Sequence, residues 1–321
     1  MTAPLPIRWG ILGTSRINQK LLAGARGSAS VEVVAVGSRS QETADAFAAA
    51  NGIGRAHGSY EALLSDPDIE AVYIPLPNAM HHRWTLTALA AGKHVLCEKP
   101  YSRHPREVDI AWDAAEAGGL VLQEAFMWRH TPQAAKLVEL LPRLGELSSV
   151  RAMFSFPLSD DADIRVNAAL DAGSLMDVGC YCVSGSRLVA GEEPEVVFGQ
   201  QVTQDNGVDR RFAGLLRFPS GLTATFHSGF DSFAESLEVV GREGTILLLD
   251  PWHSTRGLIL LNGEEVRVEP TNPYQAELDD MVAAIRGEKA PRLGRADAMG
   301  QARAIEALYQ SAESGAPVSL S

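Results

Sequence analysis

Short apolar runs and amphipathic stretches take turns along the first 125 residues. The runs at Ile7–Leu12, Val31–Val36, Ala71–Pro75, Val95–Cys97 and Leu120–Glu124 read as strands. Several are apolar throughout rather than alternating, the mark of strands buried on both faces. Between them, Ile17–Ala25, Gln41–Asn51, Tyr60–Leu64, His81–Ala91 and Arg106–Gly118 read as helices. Ser40 is placed to cap the second, and Gly92 to close the fourth. Strand and helix alternate at a spacing of about 25 residues, which predicts a doubly wound parallel sheet of the α/β class.

The pattern changes near Leu147. Strand-like runs follow at Ser149–Phe156, Glu195–Gln204, Arg211–Phe218, Leu222–Asp231, Ser236–Val240, Thr245–Leu249 and Leu258–Leu261. Turn signals at Asp205-Asn206-Gly207, Pro219-Ser220-Gly221, Arg242-Glu243-Gly244 and Asn262-Gly263 join them, which predicts antiparallel hairpins. Asp160–Ala172 is polar and irregular. Gly173–Ala190 reads as a helix, and Gln275–Arg286 and Ala296–Ser311 as amphipathic helices. The expected division is 1–125 for the first domain and 126–321 for a second, α+β domain with a large, mainly antiparallel open sheet. Such a sheet needs a cover for its outer face, so a homodimer or homotetramer built through it is expected.

Composition narrows the class. Among 321 residues, 45% are hydrophobic and 21% charged, the balance of an ordinary globular chain. The formal net charge of −12 argues against nucleic acid and against anionic membrane surfaces as partners. It leaves room for a phosphate-bearing cofactor, which is held by local backbone N–H groups and one or two cations. The three cysteines, Cys97, Cys180 and Cys182, give neither a disulfide framework nor zinc-like spacing, so no metal is expected. Residues 1–6 lack an apolar secretory core, and no run reaches membrane-spanning length. A cytoplasmic protein is expected.

Candidate chemistry gathers at strand ends. The run Lys93–Pro100 reads as a central strand that stops at Glu98-Lys99, with Pro100 ending the ladder. Ligands of open α/β sheets sit outside the carboxyl ends of strands, so Lys99 falls at the lip of a crevice. A plain surface Glu-Lys pair is the other reading. At the chain start, Gly13 opens a turn through Thr14, Ser15, Arg16 and Ile17 into a helix, where a dinucleotide pyrophosphate would lie on backbone N–H groups. The glycine fingerprint is incomplete, because Ser15 and Asn18 occupy its second and third glycine positions. After the second strand, Ser38 and Arg39 stand where an NAD site carries an acid. A hydroxyl and a guanidinium suit a 2′-phosphate, which favours NADP(H), with NAD(H) as the second candidate. A solvated Arg39 is the alternative. In the rear half, Asp177 and Tyr181 are spaced i and i+4 and share a helix face. A core tyrosine and a capping aspartate would show the same spacing.

Taken in order, Trp9-Gly10-Ile11-Leu12-Gly13-Thr14, Ser38-Arg39, Pro77-Asn78-Ala79-Met80-His81, Ala91-Gly92-Lys93-His94-Val95, Glu98-Lys99-Pro100, Glu124 to Arg129 and Met176 to Tyr181 resemble the glucose–fructose oxidoreductase / inositol dehydrogenase / MocA family. The resemblance implies an N-terminal Rossmann domain and a C-terminal α+β sheet domain. It implies an NAD(P)-dependent oxidoreductase of sugars, cyclitols or related compounds. The family lysine maps onto Lys99. Its Asp-x-Gly-x-His motif maps onto Asp177, Gly179 and Tyr181, and the final Tyr is similar to the branch with xylose dehydrogenase and dihydrodiol dehydrogenase. Thr131 departs from the His which that branch often places before the proline. By resemblance, Pro77, Asn78 and Glu98 line the nicotinamide-ribose side. His81 is a cofactor-side candidate with packing or capping as its other reading. The implied reaction is reversible hydride transfer, with Tyr181 as general acid/base, Lys99 lowering its pKa and donating to the reacting oxygen, and Asp177 orienting substrate or Lys99. Trp128, Arg129 and Arg165 are further substrate contacts, with a core role open for Trp128. The rival readings are an NAD-dependent glycosidase-like enzyme and a non-catalytic NADP(H)-binding sensor.

Overall fold

Residues Ile7–Leu12 (β1), Val31–Gly37 (β2), Arg55–His57 (β3), Ala71–Ile74 (β4), His94–Glu98 (β5) and Leu122–Ala125 (β6) form one parallel sheet in the order β3-β2-β1-β4-β5-β6. The coordinates are a computed structural model that describes residues 4–160 and 163–320. Part of the unsignalled N-terminal stretch, two positions of the irregular Asp160–Ala172 segment and the last residue of the second expected domain therefore lie outside the described residues. Helices Asn18–Gly27 (α1), Gln41–Asn51 (α2), Tyr60–Leu64 (α3), Asn78–Ala90 (α4) and Pro105–Ala117 (α5) link these strands. This is the doubly wound sheet that the alternation predicts. The order reverses between β1 and β4, which sets the crevice for a ligand at their carboxyl ends. Ser40 caps α2 by accepting from Thr43 N, and Gly92 takes a left-handed φ of 74° after α4.

Pro132–Leu140 (α6) follows, and then the second sheet begins with Leu147–Ser155 (β7). A π turn at Leu175–Gly179 runs into Cys180–Ala190 (α7). The remaining strands are Val196–Thr203 (β8), Asp209–Arg217 (β9), Thr223–Gly229 (β10), Ala234–Gly241 (β11), Gly244–Leu248 (β12), Leu258–Leu261 (β13) and Glu264–Arg267 (β14). Helices Pro273–Ile285 (α8) and Arg295–Ser314 (α9) and the short strand Val318–Ser319 (β15) end the chain. The sheet has nine strands in the order β14-β13-β12-β11-β7-β10-β9-β8-β15. Only β7 and β10 run parallel; the other pairs are antiparallel. Along β9, Phe212, Gly214 and Leu216 are buried while Arg211, Ala213, Leu215 and Arg217 are exposed, so one face is covered and one is open.

The chain separates into two compact units. One holds the chain up to Ser102, then Arg106–His130 and Asn272–Ala298; the other holds Arg103–Pro105, Thr131–Thr271 and Met299 onward. The linear cut at 125/126 assigned α8 to the rear domain, whereas α8 packs on α1 inside the first unit. Gly24 shows why: a Cβ there would lie 2.6 Å from Gln275 N, so glycine lets the two helices approach closely. Four elements escape the periodicity reading. β3 and β15 are too short to show a period, and β14 is Glu-Glu-Val-Arg, with one apolar residue. The fourth, α6, carries a start signal in Thr131-Pro132: Thr131 Oγ1 accepts from Ala134 N, with proline at the first turn. The cap accounts for a threonine at that place.

Candidate functional site

In the first unit, a recess of about 420 Å³ opens at the carboxyl ends of β1 and β2. Gly13, Thr14 and Ser15 line it on one side, and Ser38, Arg39, Ser40 and Thr43 on the other. Gly13 has φ of 108°, a conformation that L side chains rarely adopt. The incomplete fingerprint is repaired locally. Asn18, fully buried at the third glycine position, donates from Nδ2 to Gly13 O at 2.8 Å and accepts from Ser15 Oγ at 3.1 Å. A side-chain amide thus holds the turn that a glycine would otherwise leave open. Tyr60, Pro75 and Leu76 complete the wall. The sequence reading missed these three, together with Ser40 and Thr43. Ser40 and Thr43 could have been found, since they sit beside Ser38-Arg39 on a capped helix start. Tyr60 could not, because only the sheet brings α3 beside Gly13.

Among the described residues that line the recess there is no carboxylate. Hydroxyls, a guanidinium and a turn of backbone N–H groups make a donor set that fits phosphate groups. A dinucleotide therefore fits this end of the sheet. Arg16 and Ile17, also expected here, lie beyond the lining residues on the way into α1.

The remaining cofactor-side candidates cluster at the ends of β4 and β5. Pro77 and Asn78 begin α4, and Glu98 ends β5 with Lys99 next. Tyr73 donates its hydroxyl to Glu98 Oε1 at 2.5 Å, and Lys99 N donates to Glu98 Oε2 at 3.2 Å. His81 is fully buried, which favours the packing reading over a direct cofactor contact. Its ring nitrogens lie 2.8 Å from Leu76 O and 3.0 Å from Pro100 O, tying the two strand ends together. Burial pushes its pKa down, partly opposed by those carbonyls. Behind Glu98 lies a residue that no motif signalled. Glu277 of α8 is 1% exposed, and neither carboxyl oxygen has a hydrogen-bond partner among the described residues. Burial and then the charge of Glu98 push its pKa well above the usual carboxylate range.

Trp128 and Arg129 belong to this unit as well. Trp128 is 1% exposed and carries the Arg129 guanidinium 5.7 Å from its ring centroid, while Arg129 pairs with Asp297 at 3.4 Å. That burial favours the core reading of Trp128.

In the second unit, Arg165 pairs with Asp177, and Tyr181 follows four residues on, in the first turn of α7. Arg165 Nε donates to Asp177 Oδ2 at 2.9 Å and lies over Phe156, just past the end of β7. Tyr181 meets Phe154 of β7 edge to face at 5.3 Å. The regular helix expected over Gly173–Ala190 is interrupted: Leu175–Gly179 is a π turn, a feature frequent at functional sites. Its start is anchored by Asp209, which accepts from Ser174 Oγ, Leu175 N and Tyr309 Oη, each at 2.8 Å.

Burial pushes Asp209 up to about 6 against the pull of these donors. The fold therefore holds a proton on Asp209 between its ordinary range and about pH 6, and stability is lost as pH rises through that window. A shift of this size corresponds to about 3 kcal/mol. Asp209→Asn cannot titrate, so it is expected to gain on the wild type by about that amount between pH 4 and 7, whatever its fixed offset. Urea midpoints across the window measure this, and a constant difference contradicts the shifted carboxyl.

The three cysteines are free and buried, and no group of His, Cys, Asp or Glu among the described residues could hold a metal. No helix among the described residues is long and apolar enough to cross a membrane.

Comparison with known proteins agrees with this geometry. A family model described as an oxidoreductase family with an NAD-binding Rossmann fold matches residues 7–126. A second, described as a GFO/IDH/MocA C-terminal domain, matches 135–247. D-xylose 1-dehydrogenase (NADP(+)) 2 of Haloferax volcanii is 39% identical, over 97% of this chain and 99% of its own. Among solved structures, aldose-aldose oxidoreductase from Caulobacter crescentus, complexed with glycerol, is similar at a TM-score of 0.90. It is 28% identical and covers 98% of this chain and 100% of its own. The 3-ketoreductase KijD10 from Actinomadura kijaniata, in complex with NADP and TDP-benzene, is similar at 0.89 with 28% identity, over 95% of this chain and 98% of its own.

Proposed function

The chain belongs to the GFO/IDH/MocA oxidoreductase family, and on that premise we propose that it is an NADP(H)-dependent dehydrogenase or reductase of a sugar or related polyol. The observation that carries the cofactor choice is the carboxylate-free recess with Ser38, Arg39, Ser40 and Thr43 at its rim. An acid there would hydrogen-bond the ribose hydroxyl of NAD and repel a phosphate; a guanidinium with three hydroxyls accommodates the phosphate. The NADP(+) specificity named for the Haloferax relative, and the NADP bound by the Actinomadura reductase, support the same choice. The sugar class draws on the names of the xylose and aldose enzymes. The functional partition proposed is 1–125 for the dinucleotide and 126–321 for the substrate, with 272–298 reinforcing the first.

A bound nicotinamide would supply or accept the hydride. The chain's own residues do the rest. Tyr181 holds the proton that the reacting oxygen gains or loses. Lys99 donates to that oxygen as negative charge develops on it. Asp177, aligned by Arg165, fixes a substrate hydroxyl. Glu98, held by Tyr73, secures the backbone that carries Lys99. A homodimer through the open face of the nine-stranded sheet completes the proposal, in the cytoplasm; mass in solution by light scattering decides the dimer.

The test of the reading is a screen of aldoses, keto-sugars, cyclitols and dihydrodiols with both cofactors, read as absorbance of reduced nicotinamide. Net cofactor reduction by a free sugar supports it, and cofactor binding without turnover on any of them overturns it. Arg39→Ala is expected to weaken NADPH by about tenfold to a hundredfold, the range for hydrogen bonds to a charged group, with NADH unchanged. Equal weakening of both would remove the phosphate from Arg39.

A further inference from the structure

A histidine–carboxylate pair shares Phe154 as a ring neighbour with Tyr181 and has no part in the chemistry above. His253 Nδ1 lies 2.8 Å from Glu235 Oε2. Glu235, the second residue of β11, lies directly opposite Phe154 on β7, so the two side chains rise from the same face of the sheet. Phe154 meets the rings of both Tyr181, at 5.3 Å, and His253, at 5.6 Å, edge to face in each case. One phenyl ring thus sets the histidine and the tyrosine at a fixed separation.

The loop that carries His253 is built without help from the pair. Asp250 accepts from Arg256 N at 2.7 Å and from Thr255 Oγ1 at 3.0 Å. Ser254 N donates to Asp250 O at 2.9 Å. Trp252, fully buried, donates from Nε1 to Met153 O at 2.8 Å and stacks on Phe154. With the loop already secured, a hydrogen-bonded pair whose histidine is 35% exposed adds little stability. Glu235, at 9%, is otherwise a carboxylate withdrawn from water for one partner. Its effect on that partner is specific. A carboxylate facing Nδ1 favours the tautomer with its proton there, in which Nε2 is the accepting nitrogen.

We propose that His253, oriented by Glu235, accepts a hydroxyl of the substrate at a carbon other than the one that reacts, and so selects polyhydroxylated substrates. The inference rests on the polyol reading of the site and deepens it. A fixed acceptor packed on the same phenyl ring as the acid/base distinguishes a substrate that carries the hydroxyl from one that lacks it. A buried polar group that loses its partner costs more than an apolar contact does, so the preference is steep.

The experiment compares D-xylose with its single-deoxy analogues in the wild type, His253→Phe and Glu235→Gln. Phenylalanine keeps a ring against Phe154 and removes both nitrogens. The wild type is expected to prefer xylose over one analogue by about tenfold or more in kcat/KM, the scale of one hydrogen bond. His253→Phe should treat the two alike, through a KM for xylose raised about tenfold with kcat largely kept. Glu235→Gln should fall between. A role confined to holding the loop would move the melting temperature and leave the ratio as it was. Turnover with an unchanged ratio in His253→Phe overturns the pair and spares the polyol reading. A wild type inert to every polyol of the screen, whose His253 ring resonances do not move on adding them with oxidised cofactor, overturns both.

Discussion

Tyr181→Phe is expected to lower kcat by about 10²- to 10⁴-fold, the contribution typical of a positioned acid or base, while cofactor affinity stays at the wild-type value. The substitution removes one oxygen and keeps the ring. Tyr181 is 7% exposed and packs between Phe154 and Trp252, so phenylalanine preserves both aromatic contacts. A loss of turnover without a loss of folding then isolates the hydroxyl. Steady-state kinetics with the sugar found by the screen, alongside cofactor titration by fluorescence, separates the two quantities. Full turnover in the variant would remove the proton from Tyr181 and place it elsewhere.

Lys99→Ala is expected to cost at least about a hundredfold in kcat. Two anchors make the backbone at this position insensitive to the truncation. Tyr73 and the Lys99 amide both donate to Glu98, and His81 bridges Pro100 O to Leu76 O. The strand end therefore stays in place when the side chain is shortened, and the measured loss reports the ammonium group. A drop confined to KM would make Lys99 a binding group and leave the stabilisation of the reacting oxygen to others. A change below tenfold would demote it altogether.

Of these two candidates, Lys99 could be singled out from a local signal. Lys99 follows an apolar run and precedes a proline, so its place at a strand end needs no knowledge of the rest of the chain. Arg39 was legible for the same reason, one residue past the signal that ends β2. Tyr181 depended on likeness to a family, because a tyrosine four residues after an aspartate has the same spacing in any helix core. The π turn beneath it was not foreseen. It is held by Asp209, a residue of β9 that is 34 positions beyond Leu175 along the chain.

The same boundary runs through the fold. Alternating runs of residues determined the parallel sheet, its helices and the change to a largely antiparallel sheet after Leu147, since burial on one face or two imposes its own period on a strand. Short or polar strands such as β3 and β14 carry too few apolar positions to show any period, so only their neighbours in the sheet decide them. Tertiary structure alone decided that α8 returns to α1, that Glu277 is sealed in near Glu98, that His81 and Trp128 are buried, and that His253 and Tyr181 both meet Phe154. Each of these depends on which distant side chains exclude water from a given atom, and a pattern read along the chain does not contain that distance.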